Sequence, residues 1–111
     1  MKIETARKGD VLILRILENL DINSDISELE KIIQKHVQQG NTSIAVSLTE
    51  NSRLSSMSIG LLLRCYSTLK DIGGKLSLVQ PNKGDSDLLH MLSFTCVMDI
   101  YNSEEELETG I

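Results

Sequence analysis

Four serines, Ser52, Ser55, Ser56 and Ser58, crowd the polar stretch just ahead of an apolar run that continues to Ile72. At a predicted helix N-terminus, backbone amides and the helix dipole favour negative charge, so hydroxyls there can accept or seat a phosphate. Either Ser55 or Ser56 also serves simply as the helix cap. The remaining candidates for chemistry are sparse. Nucleophilic catalysis needs a base and an orienting group, and the chain has 2 His. His36 falls at the end of a predicted helix, where a solvated or dipole-stabilised imidazole is the plainer reading, and His90 lies between leucines in a short helical stretch, where partial burial with one hydrogen bond is. Cys65 and Cys96 are far apart in apolar contexts, with no CxxC spacing and no neighbouring His, and read as buried free thiols. Glu104, Glu105, Glu106 and Glu108 read as a solvated face rather than a metal site. Gly73-Gly74 follows a helix and reads as a stop, not a phosphate loop. The expectation is a chain that is not an enzyme, with no cofactor and no metal.

The elements that position the serine loop follow from hydrophobic spacing. Lys8-Gly9-Asp10 is turn chemistry between a weakly alternating segment and the apolar run Val11 to Leu17, which predicts an N-terminal hairpin. Ile26, Leu29, Ile32, Ile33 and Val37 recur at helical spacing and predict a helix over roughly 25 to 39. Asp25 with Glu28 has capping-box spacing, and Gly40 suits a left-handed cap. Ser43 to Leu48 reads as a central strand. A second helix spans roughly 57 to 71, with Ile59, Leu62, Leu63, Tyr66 and Leu69 as an apolar stripe that Leu61, Cys65 and Ile72 widen. Lys75 to Val79 is a second buried-type strand. A short helix around Leu88 to Leu92, a strand over Val97 to Tyr101 and a terminal helix opened by Ser103 and Glu106 complete the reading. The result is an α/β fold over residues 1 to 111 as one domain: a mixed sheet of about five strands, an N-terminal hairpin, later strands parallel through right-handed crossovers, and about four helices.

Composition narrows the partners. The chain has 111 residues, 41% of them hydrophobic, which suits one core. A net charge of −5 and a pI near 4.9 disfavour nucleic acid and anionic lipid, and an aromatic content of 3% leaves few stacking platforms for bases. The N-terminal MKIETARKGD has no apolar core of the length a signal peptide needs and no run approaches a membrane span, so a cytoplasmic protein with no membrane insertion is expected. Without a secretory signal, the Asn41-Thr42-Ser43 sequon carries no weight.

The segment SRLSSMSIGLLLRCYSTLKDIGGKLSLVQP, Ser52 to Pro81, resembles the phosphorylation-site region of STAS domains of the anti-sigma factor antagonist type. In that family an Asp-Ser-(Ser or Thr)-Gly-Leu run precedes an apolar helix that ends at a Gly-Gly turn before a strand. The likeness extends over nearly the whole chain, through Leu20-Asp21, SIAVSL, Asp71 to Leu76, Ser93-Phe94 and Ile100-Tyr101. It implies an α/β STAS fold and a protein that binds an anti-sigma factor or a serine kinase of the ATP-binding switch-kinase class, thereby regulating transcription by partner switching in bacterial signalling.

The same resemblance implies a partner-binding or regulatory loop made of Asp21, Arg53, Ser55, Ser56, Met57, Ser58, Ile59, Leu61 and Arg64. Counting back from the Gly-Gly turn, Ser55 stands at the family's Asp, Ser56 at its first serine, Met57 at the phosphoacceptor and Ser58 at its glycine. A thioether cannot accept phosphate. Either Ser56 or Ser58 has become the acceptor, or Met57 and the wide apolar helix form a permanently active docking face. A structural STAS subunit of a larger assembly, such as a stressosome-like shell or a lipid-transport system, is the alternative. The width of the apolar helix also raises a homodimer.

Overall fold

The structure, a computed structural model, describes residues 2–21, 23–79 and 98–107. Its centre is a five-stranded sheet in the order β1-β2-β3-β4-β5, formed by Ile3–Lys8, Val11–Ile16, Ser43–Ser47, Lys75–Val79 and Asp99–Tyr101. β1 and β2 are antiparallel, and every later pairing is parallel. Helix α1, Ser27–Gln38, connects β2 to β3, and α2, Ser56–Asp71, connects β3 to β4.

The hairpin closes on Lys8 and Val11, leaving Gly9 and Asp10 as a two-residue loop. Gly9 has φ 60°, the positive angle that such tight hairpin loops demand. β2 reads as a continuous apolar run because it is buried on both faces. Leu12, Leu14 and Ile16 join the main core under the helices, together with Ile44, Val46, Leu76 and Leu78 from the parallel strands. Leu29 and Ile33 of α1 and Ile59, Leu62, Cys65 and Leu69 of α2 fill the helix side. On the opposite face Val11, Ile13, Ala45 and Val79 gather with Leu107 in a smaller cluster.

α2 ends at two glycines that serve different needs. Gly73 has φ 76°, a left-handed angle that side chains resist, and its N–H reaches the Lys70 carbonyl at 3.0 Å. Gly74 is needed for room: a Cβ there would press into the Thr42 carbonyl oxygen and stand 3.0 Å from that of Leu69. This close approach lets Lys75 donate to Thr42 at 2.8 Å and begin β4 beside β3.

Several boundaries differ from the sequence reading. α1 starts at Ser27, with Ile26 at the cap position and no side-chain cap; Asp25 accepts instead from the Ser27 N–H at 2.9 Å, so the Asp25–Glu28 capping box does not form. Gly40, at φ 95°, does take the left-handed cap. The last strand is confined to Asp99–Tyr101 within the described residues. Instead of about four helices, the described residues hold two α-helices and one short 3-10 turn, Glu104–Glu106. That turn replaces the expected terminal helix because Leu107, 4% exposed, leaves it in extended conformation and packs into the smaller cluster. The short helix expected around Leu88 to Leu92, and with it His90 and Cys96, lies outside the described residues.

Candidate functional site

The expected binding loop is built by hydrogen bonds from a serine that never reaches solvent. Ser52 is fully buried, and its Oγ accepts from the Leu20 N–H at 3.0 Å. Arg53 N–H donates to the Leu20 carbonyl at 2.7 Å, and Thr49 Oγ1 lies 2.7 Å from Ser52 Oγ. These bonds tie the stretch between β3 and α2 to the stretch between β2 and α1. Leu20, Leu48 and Leu54 bury their side chains in the main core around the tie.

From that anchor the chain turns outward into α2. Ser55 is the N-cap, extended at φ −88° and ψ 167°, with its Oγ accepting from the Ser58 N–H at 3.1 Å. This satisfies one of the free amides of the first turn. Ser55 also donates its own hydroxyl to Ser58 Oγ at 3.1 Å. Ser58 is 3% exposed beneath this pair, and Ser56 faces solvent. Met57, one position on, is 85% exposed.

The displayed turn borders a cleft of about 470 Å³ between the start of α2 and the loop before α1. Met57, Ser55, Ser58, Leu61 and Arg64 line one wall; Asn23 to Ser27 line the other. Within it, the Asp25 carboxyl is held below its usual range because it accepts the backbone N–H and the hydroxyl of Ser27. Arg64 crosses to α1, with Nε 2.7 Å from Glu30 Oε2. Next to it, burial pushes the Cys65 thiol up to about 11, with Glu30 adding to the effect, so this sulfur stays a neutral core group.

The structure therefore divides the expected site residues. Ser55, Met57, Ser58, Leu61 and Arg64 share the cleft. Arg53 and Ser56 are exposed beside it. Ile59 turns into the core at 8% exposure. Asp21 lies next to Leu20, the anchored residue, but its carboxylate closes its own turn: Oδ1 accepts from Asn23 N–H at 2.8 Å, and its N–H reaches Ser24 Oγ at 2.9 Å. Most of the apolar stripe of α2 is spent inward, since Ile59, Leu61, Leu62, Cys65 and Leu69 are buried, while Leu63 and Tyr66 are half-buried and Ile72, just past the helix, is exposed. The far wall of the cleft was not foreseen. Its only sequence signal was the polar run Asp21 to Asp25.

The acidic run behaves differently from a solvated face. Glu104 takes both Nε and NH2 of Arg15 at 2.8 and 2.7 Å, and accepts from Ser47 Oγ at 2.9 Å. The Arg15 hydrogen bonds hold the Glu104 carboxyl below its usual range, with Ser47 assisting against partial burial. This knot of charge fastens the terminal 3-10 turn to the sheet face opposite the helices. Among the described residues no group of three His, Cys, Asp or Glu is placed to hold a metal, and no helix is long and apolar enough to cross a membrane.

A mostly parallel sheet opened by a hairpin, with the two described α-helices on one face and a serine-capped helix beside an open cleft, defines a domain of the STAS type. The STAS domain model matches residues 2–107, and the chain belongs to that family. A Thermotoga neapolitana protein, provisionally named an anti-sigma factor antagonist and homologue of TM1081, is 24% identical over 99 residues, which span 87% of this chain and 86% of the relative. The crystal structure of TM1081 from Thermotoga maritima matches with a TM-score of 0.80 at 22% identity, covering 94% of this chain and 89% of that one. The Bacillus cell fate determinant SpoIIAA, in its phosphorylated form, matches with a TM-score of 0.63 at 18% identity over 95% of both chains. These two likenesses are of fold.

Proposed function

We propose that this chain is an anti-sigma factor antagonist: a binding module, not an enzyme, that engages an anti-sigma factor or switch-kinase partner through the first turn of α2 and the cleft beside it. The observation that carries the reading is Met57, 85% exposed on a turn whose neighbours are anchored by Ser52 and Ser55. A large apolar side chain standing in water at a rigid position is suited to bury itself in a partner, and the flexible thioether adapts to the surface it meets. The family membership and the name given to the Thermotoga neapolitana relative support the same role.

Phosphorylation is not needed in this reading. The side chain at the position that the family resemblance marks as the phosphoacceptor is a thioether, Ser58 lies covered by its bond to Ser55, and only Ser56 presents a free-standing hydroxyl on the turn. Docking is therefore constitutive. Recovery of the tagged chain from its own cells, with mass spectrometry of what accompanies it, tests both parts. An ATP-binding serine kinase or anti-sigma factor should be recovered from wild type and lost from Met57→Glu. Recovery of a permease and ATPase or a multisubunit shell in its place would replace the role by a structural one. Stoichiometric phosphate on Ser56 or Ser58 would end the constitutive version.

A further inference from the structure

The outer edge of β1 is used by neither the helix layer nor the cleft. β1 pairs with β2 on one side, and among the described residues no strand pairs with its other side. In an antiparallel ladder, facing residues alternate between pairs that exchange both backbone bonds and pairs whose groups point away. Leu17 N–H donates to the Lys2 carbonyl at 2.9 Å, and these two residues continue the register that sets Ile3 against Ile16. Lys2, Glu4, Ala6 and Lys8 thus turn their backbone groups toward β2. By alternation, Ile3, Thr5 and Arg7 aim theirs at the open edge. The register runs unbroken from Ile3 to Lys8 without a bulge or a proline, two of the devices that blunt an edge.

We propose that this edge pairs antiparallel with β1 of a second copy about a two-fold axis through Ala6, joining the two sheets into one. Backbone geometry and charge together select that register. Outward-pointing residues must face outward-pointing residues, which places the axis on a residue and never between two. An axis at Glu4 sets the two Glu4 carboxylates against each other. At Thr5 it sets Lys2 against Lys8. At Arg7 it sets the two Arg7 side chains together and Glu4 against Asp10. An axis at Ile3 also opposes unlike charges, Lys2 against Glu4, but it engages only the first residues of the strand; at Ala6 the pairing takes in Glu4 to Lys8, Glu4 faces Lys8 of the second copy, Lys2 approaches its Asp10, and both contacts recur by symmetry. Opposite charges across a ladder stabilise it, and like charges directly opposite destabilise it.

At the Ala6 axis, Thr5 and Arg7 exchange N–H···O=C bonds with Arg7 and Thr5 of the second copy. Glu4 and Lys8 then form a pair that does not exchange backbone bonds, the kind whose side chains stand closer. The small Ala6 side chains meet without obstruction. Glu4 already holds Arg15, and Lys8 donates to the Glu104 and Glu105 carbonyls at 3.1 and 2.6 Å, so both are oriented on the same sheet face. The Glu4 side chain remains 51% exposed, and its carboxylate has acceptor sites for a second cation. Most of the wide apolar stripe of α2, which raised a homodimer, is buried in the core. The edge of β1 supplies a surface for one instead.

Sedimentation equilibrium of the full chain tests the pairing. Wild type should dimerise with concentration, and E4K or K8E alone should weaken association about tenfold, since either places like charges opposite. An equimolar mixture of E4K and K8E should dimerise again, because each chain then meets its complement; a folding defect in either variant could not be repaired this way. T5P should abolish dimerisation while leaving the circular dichroism spectrum unchanged, since the Thr5 N–H faces the open edge and the hairpin loses no ladder bond. A monomer at the highest soluble concentration, a dimer indifferent to all three substitutions, or a mixture that stays monomeric would overturn the proposal.

Discussion

At its C-terminal end α2 stops against backbone, with Gly74 wedged between the Thr42 and Leu69 carbonyls, whereas at its N-terminal end Ser56 and Met57 stand in solvent. One end is fixed by the absence of a side chain. The other is fixed at a distance, through Ser52 in the interior, so that the residues it presents carry little of the fold. A binding surface built this way can change its exposed side chains without losing its position. That separates the two kinds of substitution the helix tolerates.

Gly74→Ala should produce the largest effect. The added methyl cannot be relieved by a side-chain rotation, because it meets backbone, so the start of β4 must move away from Thr42. A cost of about 2–4 kcal/mol is expected in denaturant unfolding, of the order seen for overpacking and local backbone strain. Gly73→Ala, which meets open space and suffers only its positive φ, should cost about 1 kcal/mol. Equal costs at the two positions would break the distinction drawn between room and conformation.

Ser52→Val comes next and concerns the anchor of the displayed end. It removes the acceptor for the Leu20 N–H inside the protein and leaves that amide without its partner. Loss of about 1–3 kcal/mol is expected. Hydrogen exchange at Leu20 and Arg53 should rise together, since one tie holds both. A protected Leu20 amide in this variant would mean that Ser52 does not position the loop.

A pH titration separates both ends of α2 from the opposite face of the sheet. Folding lowers the Glu104 pKa, so as pH falls below the usual carboxylate value of 4.5 the unfolded chain takes up the proton first. The stability that Glu104 contributes is complete above that value and is lost as pH falls through the lowered folded value. With its side chain 28% exposed and that of Arg15 35%, solvent screening limits the contribution to about 1 kcal/mol. Glu104→Gln should flatten the acid limb of the stability curve. Urea midpoints at neutral and acid pH would show this directly.

These contrasts also mark what could be read from the chain alone. The hairpin, the parallel strands and the bodies of both helices follow local periods of apolar residues, and Gly73-Gly74 marks a stop in any reading. Ser52 looked like one more loop serine because its burial depends on Leu20, which lies 32 residues earlier. Glu104 looked solvated for the same reason: Arg15 lies 89 residues away and Ser47 57. The far wall of the cleft, Asn23 to Ser27, faces Met57 only after α1 and α2 have packed. Met57, by contrast, was singled out by the STAS resemblance, whose register puts it at the phosphoacceptor, and it stands 85% exposed two residues after the Ser55 cap.

The smallest change in stability should come from Met57→Glu, and its sign is informative. Met57 is the second residue of α2, and the first turn of that helix has no acidic residue. A carboxylate there faces the positive end of the helix dipole, so the variant should be more stable than wild type by about 0.3–1 kcal/mol. Partner capture should move the other way, because the substitution replaces the apolar contact with a charge that must be desolvated on docking. Thermal melts and titration against the recovered partner measure the two effects separately. A variant that melts higher and binds at least about tenfold more weakly places Met57 in the interface and outside the fold's support. If stability and binding fell together, the first turn of α2 would be structural after all, and the difference between the helix's two ends would disappear.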